Sequence, residues 1–300
     1  MKLVRYADRP DLREIRLGRL SMRTFPVYMH HNPSGAKYWG KLYETHPNFQ
    51  LALLDGDELV AELHSLPAAW DGSLEDLPPG WDDIFPRAFD SGREPDALFA
   101  LAISVLPERQ GERLSSVMLH AMCDAARDAG LRVLAAPVRP TLKAQYPLIA
   151  IERYMEWRLD DGSHFDPWLR LHERVGGRIV APSPVSMTIE APAADWEAWT
   201  GVRIPEDGDY LIPGGLAPVE VRDGIGLHIE PNVWVVHEVY AFGRRTRLPE
   251  TSTRPSAASE ASTFGSSSSA GRAPPATRRS ARARRCRKEP SKRLCLRRGS

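Results

Sequence analysis

The chain has little cysteine, no long apolar run and few glycines where one turn most invites them. Three cysteines occur in 300 residues, and only Cys123 lies before the last sixty. No disulfide framework can be drawn in the body of the chain, and no Cys-x-x-Cys pair suggests redox or zinc chemistry. No stretch approaches the ~18 apolar residues that cross a bilayer. The opening MKLVRYADRPDLREIR has no apolar segment of the secretory type. These absences point to a cytoplasmic location with no membrane partner. The nine histidines show no metal-ligand spacing, so no metal is expected.

Hydrophobic residues make up 42% and charged residues 26%, a globular composition. The net charge of +1 averages two unlike segments. From Arg244 onward there are 16 Lys and Arg against 3 Asp and Glu. Of the totals of 40 and 39, residues 1–243 therefore keep 24 basic and 36 acidic groups. The segment 244–300 is low in complexity and nearly free of apolar side chains, and is expected to be a disordered basic tail. Nucleic acid could be held only through this tail, by phosphate contacts, although Phe264 is its sole aromatic residue. A reading-frame slip near residue 240 would give the same Arg, Ala, Ser, Pro and Gly mixture, and both origins stay open.

Periodicity orders the remainder. A short strand precedes a helix from about Pro10, with Leu12, Ile15 and Leu20 on one side. Two apolar runs, Phe49–Leu54 and Leu59–Leu63, flank Asp55-Gly56 and read as a hairpin. The run Asp96–Leu106 reads as a strand covered on both faces. The helix after it places Leu114, Val117, Met118, Ala121, Met122 and Ala125 on one stripe and ends at Gly130. Leu131–Arg139 is a second buried strand, so strand, helix and strand form a parallel crossover unit. Further on come a helix stopped by Gly176-Gly177, a short helix capped by Asp195 and closed by Gly201, and a late strand in GLHIEPNVWVVHEV.

The turn inside the crossover unit, Arg109-Gln110-Gly111-Glu112-Arg113-Leu114-Ser115-Ser116, opens a helix. The first amides of a helix lack internal partners and its start carries partial positive charge, so a pyrophosphate fits there. Gly111 permits close approach, Ser115 and Ser116 are small donors, and Arg109 and Arg113 add charge. Glu112 opposes an anion unless it points away.

Strand, V-x-P-E-x-Q-G-x-x-L-S-S, amphipathic helix and second strand together resemble the acetyl-CoA signature of the GCN5-related N-acetyltransferase (GNAT) family. That signature reads Gln/Arg-x-x-Gly-x-Gly/Ala. Gln110 matches its first position, Arg113 replaces the first glycine, Ser115 replaces the second small residue, and Gly111 matches a common extra glycine. The order of elements extends the resemblance over roughly 2–190, and 191–243 is similar to a C-terminal extension of a bacterial subgroup. The resemblance implies an α/β fold. Its mixed, mostly antiparallel sheet would splay at a bulge, with helices on both faces and a small α+β extension packed on the core. It implies acetyl-CoA as co-substrate, with Val105 and Leu106 along the pantetheine arm and Gln110, Gly111, Glu112, Arg113, Leu114, Ser115 and Ser116 over the pyrophosphate.

The activity implied is transfer of an acetyl group to an amine, on a small molecule or a peptide, with the oligomeric state open. The family's Tyr-x-x-x-Gly-Phe pattern aligns with H-E-R-V-G-G, which puts His172 where the proton-donating Tyr stands. Tyr146 competes for that role, and Tyr154 is a further candidate. Glu62 and His64, two residues apart on one strand face, are candidates for the base, and His30-His31 for an acceptor lid. The excess of acid in residues 1–243 favours a cationic acceptor. Two other readings stand beside this one: a non-catalytic acyl-CoA sensor, and a nucleic-acid-associated protein acting through its tail.

Overall fold

In the computed structural model, residues 1–14 and 20–239 are described, and the apolar runs become strands of one sheet. The strands are β1 (Lys2–Arg5), β2 (Gln50–Asp55), β3 (Glu58–Ala68), β4 (Ala97–Val105), β5 (Val133–Val138), β6 (Arg178–Pro192), β7 (Gly208–Tyr210), β8 (Val219–Arg222) and β9 (Ile225–Glu238). The helices are α1 (Ser21–Thr24), α2 (Pro33–Thr45), α3 (Trp81–Phe89), α4 (Leu114–Asp128), α5 (Ile151–Tyr154), α6 (Pro167–Arg174) and α7 (Ala193–Thr200). The sheet order is β1-β2-β3-β4-β5-β9-β8-β7, with β6 paired to β9. Only β4 and β5 run parallel among these pairs. The fold is thus the mixed, mostly antiparallel α/β arrangement expected. The expected helix from Pro10 lies partly outside the described residues, and the tail from 244 wholly so.

Local chemistry sets the register. Gly56 takes a φ of 62° in the β2–β3 turn, where a side chain would be strained. Across β3 and β4 the pairing slips: His64 faces Ala102 and Ser65 faces Ala100, which leaves Leu101 as an extra residue. Such a bulge bends its strand and increases the local twist. The consequence appears on the other side of β4. Its parallel pairing with β5 covers only Ala97, Leu98 and Phe99, opposite Val133, Leu134 and Ala135. Beyond Phe99 the two strands part, and residues 100–105 pair with β3 alone among the described residues.

β9 gives the sheet its second half. It pairs with β5 from Val133↔Glu238 to Val138↔Val233 and with β6 along most of its length. The segment expected as an extension packed on the core therefore supplies a central strand. Its run NVWVVH is buried on both faces, as a central strand must be. Residue 190 falls within β6. α7 likewise starts at Ala193, so Asp195 lies in its first turn, not at its cap, while Gly201 closes it at φ 72°.

Alternation along β5 and β9 separates the two faces. Trp234 and Val236 pack with Tyr38, Leu42, Ile84 and Phe85 of α2 and α3. Val233 and Val235 pack with Ile151, Tyr154 and Leu169 of α5 and α6. α4 covers Leu98 and Leu134 through Met118, Leu119 and Met122.

Candidate functional site

Where β4 and β5 part, a cavity of about 1300 Å³ reaches both faces of the sheet. Its sides are residues 100–105 of β4 and 136–139 at the end of β5. The turn before α4 and part of α6 close one end. Met29, His30, Asn32, Trp39, Trp81, Glu230 and Asn232 close the other.

The turn is built so that its amides stay unspent. Arg109 N–H bonds the Leu106 carbonyl at 2.9 Å and Gln110 N–H the Pro107 carbonyl at 3.3 Å. The next backbone bonds are those of Ser116 and Val117 to the Arg113 carbonyl, at 3.0 and 3.2 Å. Among the described residues, the amides of 111–115 donate to no protein acceptor. Two residues here have positive φ, Gly111 at 90° and Arg113 at 61°. Arg113 thus occupies, in left-handed conformation, the position before α4 where glycine costs least.

The charges around the turn have separate tasks. Arg109 is bound by Glu112 at 2.7 and 2.9 Å and by Asp55 at 3.1 Å. Glu112 is thereby turned onto Arg109 and does not line the cavity, which removes its objection to an anion. Arg113 forms no ion pair among the described residues. Val105, Gln110, Gly111, Arg113, Leu114, Ser115 and Ser116 all line the cavity. Leu106 does not: its N–H bonds Val60 and its side chain is in the core.

His172 projects from α6 into the same cavity. Its Nδ1 lies 2.9 Å from Nε2 of His237 on β9, and Trp168 packs edge-on against its ring. Its Nε2 is buried with no partner among the described residues. Burial, then the neighbouring His237, pushes His172 down to about 3. Burial takes His237 to about 4, against a small opposing effect of the Val175 carbonyl. Both rings are neutral near pH 7.

Tyr146 stands apart, in an aromatic cluster with Trp157 at 4.9 Å and Phe165 at 5.9 Å, and is not in the cavity wall. Tyr154 bonds Asp166 at 2.9 Å inside the same cluster. Glu62 is fully buried, accepts from Tyr6 at 2.9 Å, and lies 3.2 Å from His64. Both sit one strand behind the wall, opposite Ser104 and Ala102, which do line the cavity. His30 is in the wall, whereas His31 stacks on Trp199 at 4.1 Å.

Arg139, Glu230 and Asn232 are among the polar wall residues that the sequence did not single out. Arg139 Nε donates to Glu230, whose other oxygen meets His228 Nε2 at 2.8 Å. Burial pushes the Glu230 carboxyl up, but Arg139 and then His228 outweigh it and hold it below its ordinary value. A signal was available, since Glu230 and Asn232 directly precede the apolar run Val233–Val236, where a buried charge calls for a reason.

The chain is 31% identical to the arginine N-acetyltransferase avaD of Aspergillus versicolor over 250 residues, a match covering 72% of this chain and 86% of that protein. Among solved structures it is similar to the loading GNATL domain of CurA from Lyngbya majuscula. The TM-score is 0.53 at 16% identity, over 79% of this chain and 97% of that one. No family model matches.

Proposed function

Because the chain belongs to the GNAT family of N-acetyltransferases, we propose that its cavity is where an acetyl group passes from acetyl-CoA to the amine of a small cationic acceptor such as arginine. The observation that carries this assignment is the row of unspent amides at 111–115, which opens onto the same cavity as the unpaired edge of β4. A pyrophosphate satisfies such amides and the helix start together. The edge of β4 beyond Phe99 offers ladder groups to the amide-bearing pantetheine arm. The likeness to an arginine N-acetyltransferase supports arginine as the acceptor.

Acetyl-CoA supplies the thioester, and the chain's own groups do the remainder. The backbone amides of 111–115, as hydrogen-bond donors, fix the cofactor end, while Arg113 adds a cation at the turn. Asn32, Trp39 and Trp81 wall the acceptor end and exclude water. His172, neutral at working pH, cannot deliver a proton as an imidazolium. It acts instead through Nε2–H, a hydrogen bond to the departing sulfur, with Nδ1 accepting from His237. His237 is a positioning residue in this scheme. Glu62 takes the amine's proton only through Ser104, its cross-strand neighbour in the wall.

Thiol release from acetyl-CoA in the presence of arginine tests the reading. His172→Ala is expected to lower kcat by roughly 100- to 1000-fold, as loss of one transition-state donor does, with acetyl-CoA affinity little changed. Unaltered kcat would remove His172 from the chemistry. Absence of thiol release with every amine would favour the acyl-CoA sensor.

A further inference from the structure

The acceptor end of the cavity has two polar groups left unspent, and they sit side by side. The first belongs to Arg139, at the end of β5. Its Nε donates to Glu230, and its Nη2 donates to the Gly214 carbonyl and lies 3.4 Å from the Tyr28 hydroxyl. The guanidinium is therefore clamped along one side. Nη1 has no acceptor among the described residues, although the side chain is in the cavity wall and only 22% exposed.

The second is Asn232 on β9, itself 4% exposed. Its Nδ2 donates to the Pro137 carbonyl at 3.3 Å and to Ser186 Oγ at 2.8 Å. Those two acceptors fix the amide's orientation and leave Oδ1 as the free end. Oδ1 is buried and receives no hydrogen bond among the described residues. A buried carbonyl without a donor is costly, and its place in a cavity wall marks a ligand contact.

Glu230 and Asn232 are two residues apart on one strand face, which separates them by about 7 Å. Glu230 holds Arg139, so a fixed cationic donor and a fixed neutral acceptor face the same cavity from neighbouring positions. The Glu230 charge is already offset by Arg139, with His228 and the Leu216 amide on its other oxygen. The complement of this pair is a carboxylate next to an amine.

We propose that Arg139 and Asn232 read the head of an α-amino acid, Arg139 binding its carboxylate through Nη1 and Asn232 Oδ1 accepting an N–H of the amine to be acetylated. The assignment rests on the N-acetyltransferase reading above and adds to it a requirement for the carboxylate. Asn232 holds the amine by one hydrogen while its lone pair stays free to attack. An acceptor lacking the carboxylate gives Arg139 Nη1 no anionic partner, and a site built to bond a polar group discriminates strongly against its absence.

The test uses the full chain and three probes that share one amine: L-arginine, its methyl ester, and agmatine, which is arginine without the carboxyl group. Replacing Arg139 strips buried Glu230 of its counter-ion and endangers folding, so the probes carry the main comparison. kcat/KM for the ester and for agmatine is expected to fall by roughly 100-fold relative to arginine, mostly through KM. Asn232→Ala is expected to raise KM for arginine about tenfold while calorimetry shows the same acetyl-CoA affinity. Agmatine turned over as well as arginine would overturn the proposal and leave the N-acetyltransferase reading standing. So would an Asn232→Ala protein that loses acetyl-CoA and not arginine. No thiol release with any probe, despite acetyl-CoA binding, would overturn both.

Discussion

Acidification should destabilise this protein through two specific rings. His172 and His237 are each 2% exposed and hydrogen-bond each other at 2.9 Å. In the folded chain they titrate at about 3 and about 4, against an ordinary value of 6.5. The folded values lie below the unfolded ones, so the unfolded chain takes up protons first as pH falls. Stability from the pair is complete above about pH 7 and is lost progressively below 6.5, levelling only near the folded values. By pH 5 each ring costs about 2 kcal/mol, a large share of the ~5–15 kcal/mol that holds a domain together. Urea unfolding at pH 8 and pH 5 measures this, and the midpoint should drop by about 1–2 M. Replacing both rings, His172→Phe with His237→Phe, leaves no orphan partner and should flatten that part of the dependence. His46 and His164, both lowered chiefly by burial, contribute to both proteins and cancel in the difference. Parallel losses in wild type and double variant would refute the assignment of neutral buried rings.

Other perturbations follow from the same geometry. Arg113→Gly removes a left-handed arginine and should raise Tm by about 2–4 °C, from up to about 1 kcal/mol of relieved strain. Arg113→Lys keeps both the strain and the charge and should leave Tm unchanged. The salt dependence of acetyl-CoA binding should weaken in Arg113→Gly but not in Arg113→Lys. Gly177→Ala places a Cβ 2.6 Å from His237 Cε1 and 2.8 Å from the His172 carbonyl. It should cost about 1–3 kcal/mol in thermal unfolding and lower turnover by displacing the histidine pair.

Much of this was legible in the sequence because it is local. The hairpin at Asp55-Gly56, the crossover around α4 and the unspent turn at Gly111 follow from periodicity and backbone chemistry within a few residues. What was not legible depends on strand order. Nothing in GLHIEPNVWVVHEV says that it pairs with β5, so its Glu230 and Asn232 could not be placed opposite the β4 splay. Glu62 and His64 do share a face, as alternation requires, but only the sheet shows that Ser104 stands between Glu62 and the cavity. His172 was found by its spacing to Gly176-Gly177. Its neutrality comes from burial against His237, 65 residues away, which no spacing reports. Tyr146 follows its strand closely, yet Trp157 and Phe165 hold its ring out of the cavity wall.

The central claim is that the amides before α4 hold acetyl-CoA. Calorimetric titration of acetyl-CoA into the full chain and into Gly111→Pro tests it most directly. Proline deletes one amide and cannot adopt the φ of 90° found there. The account predicts one-site binding to wild type, weakened roughly tenfold or more in a Gly111→Pro protein that still unfolds cooperatively. Equal affinities in the two, or no binding to folded wild type, would contradict it.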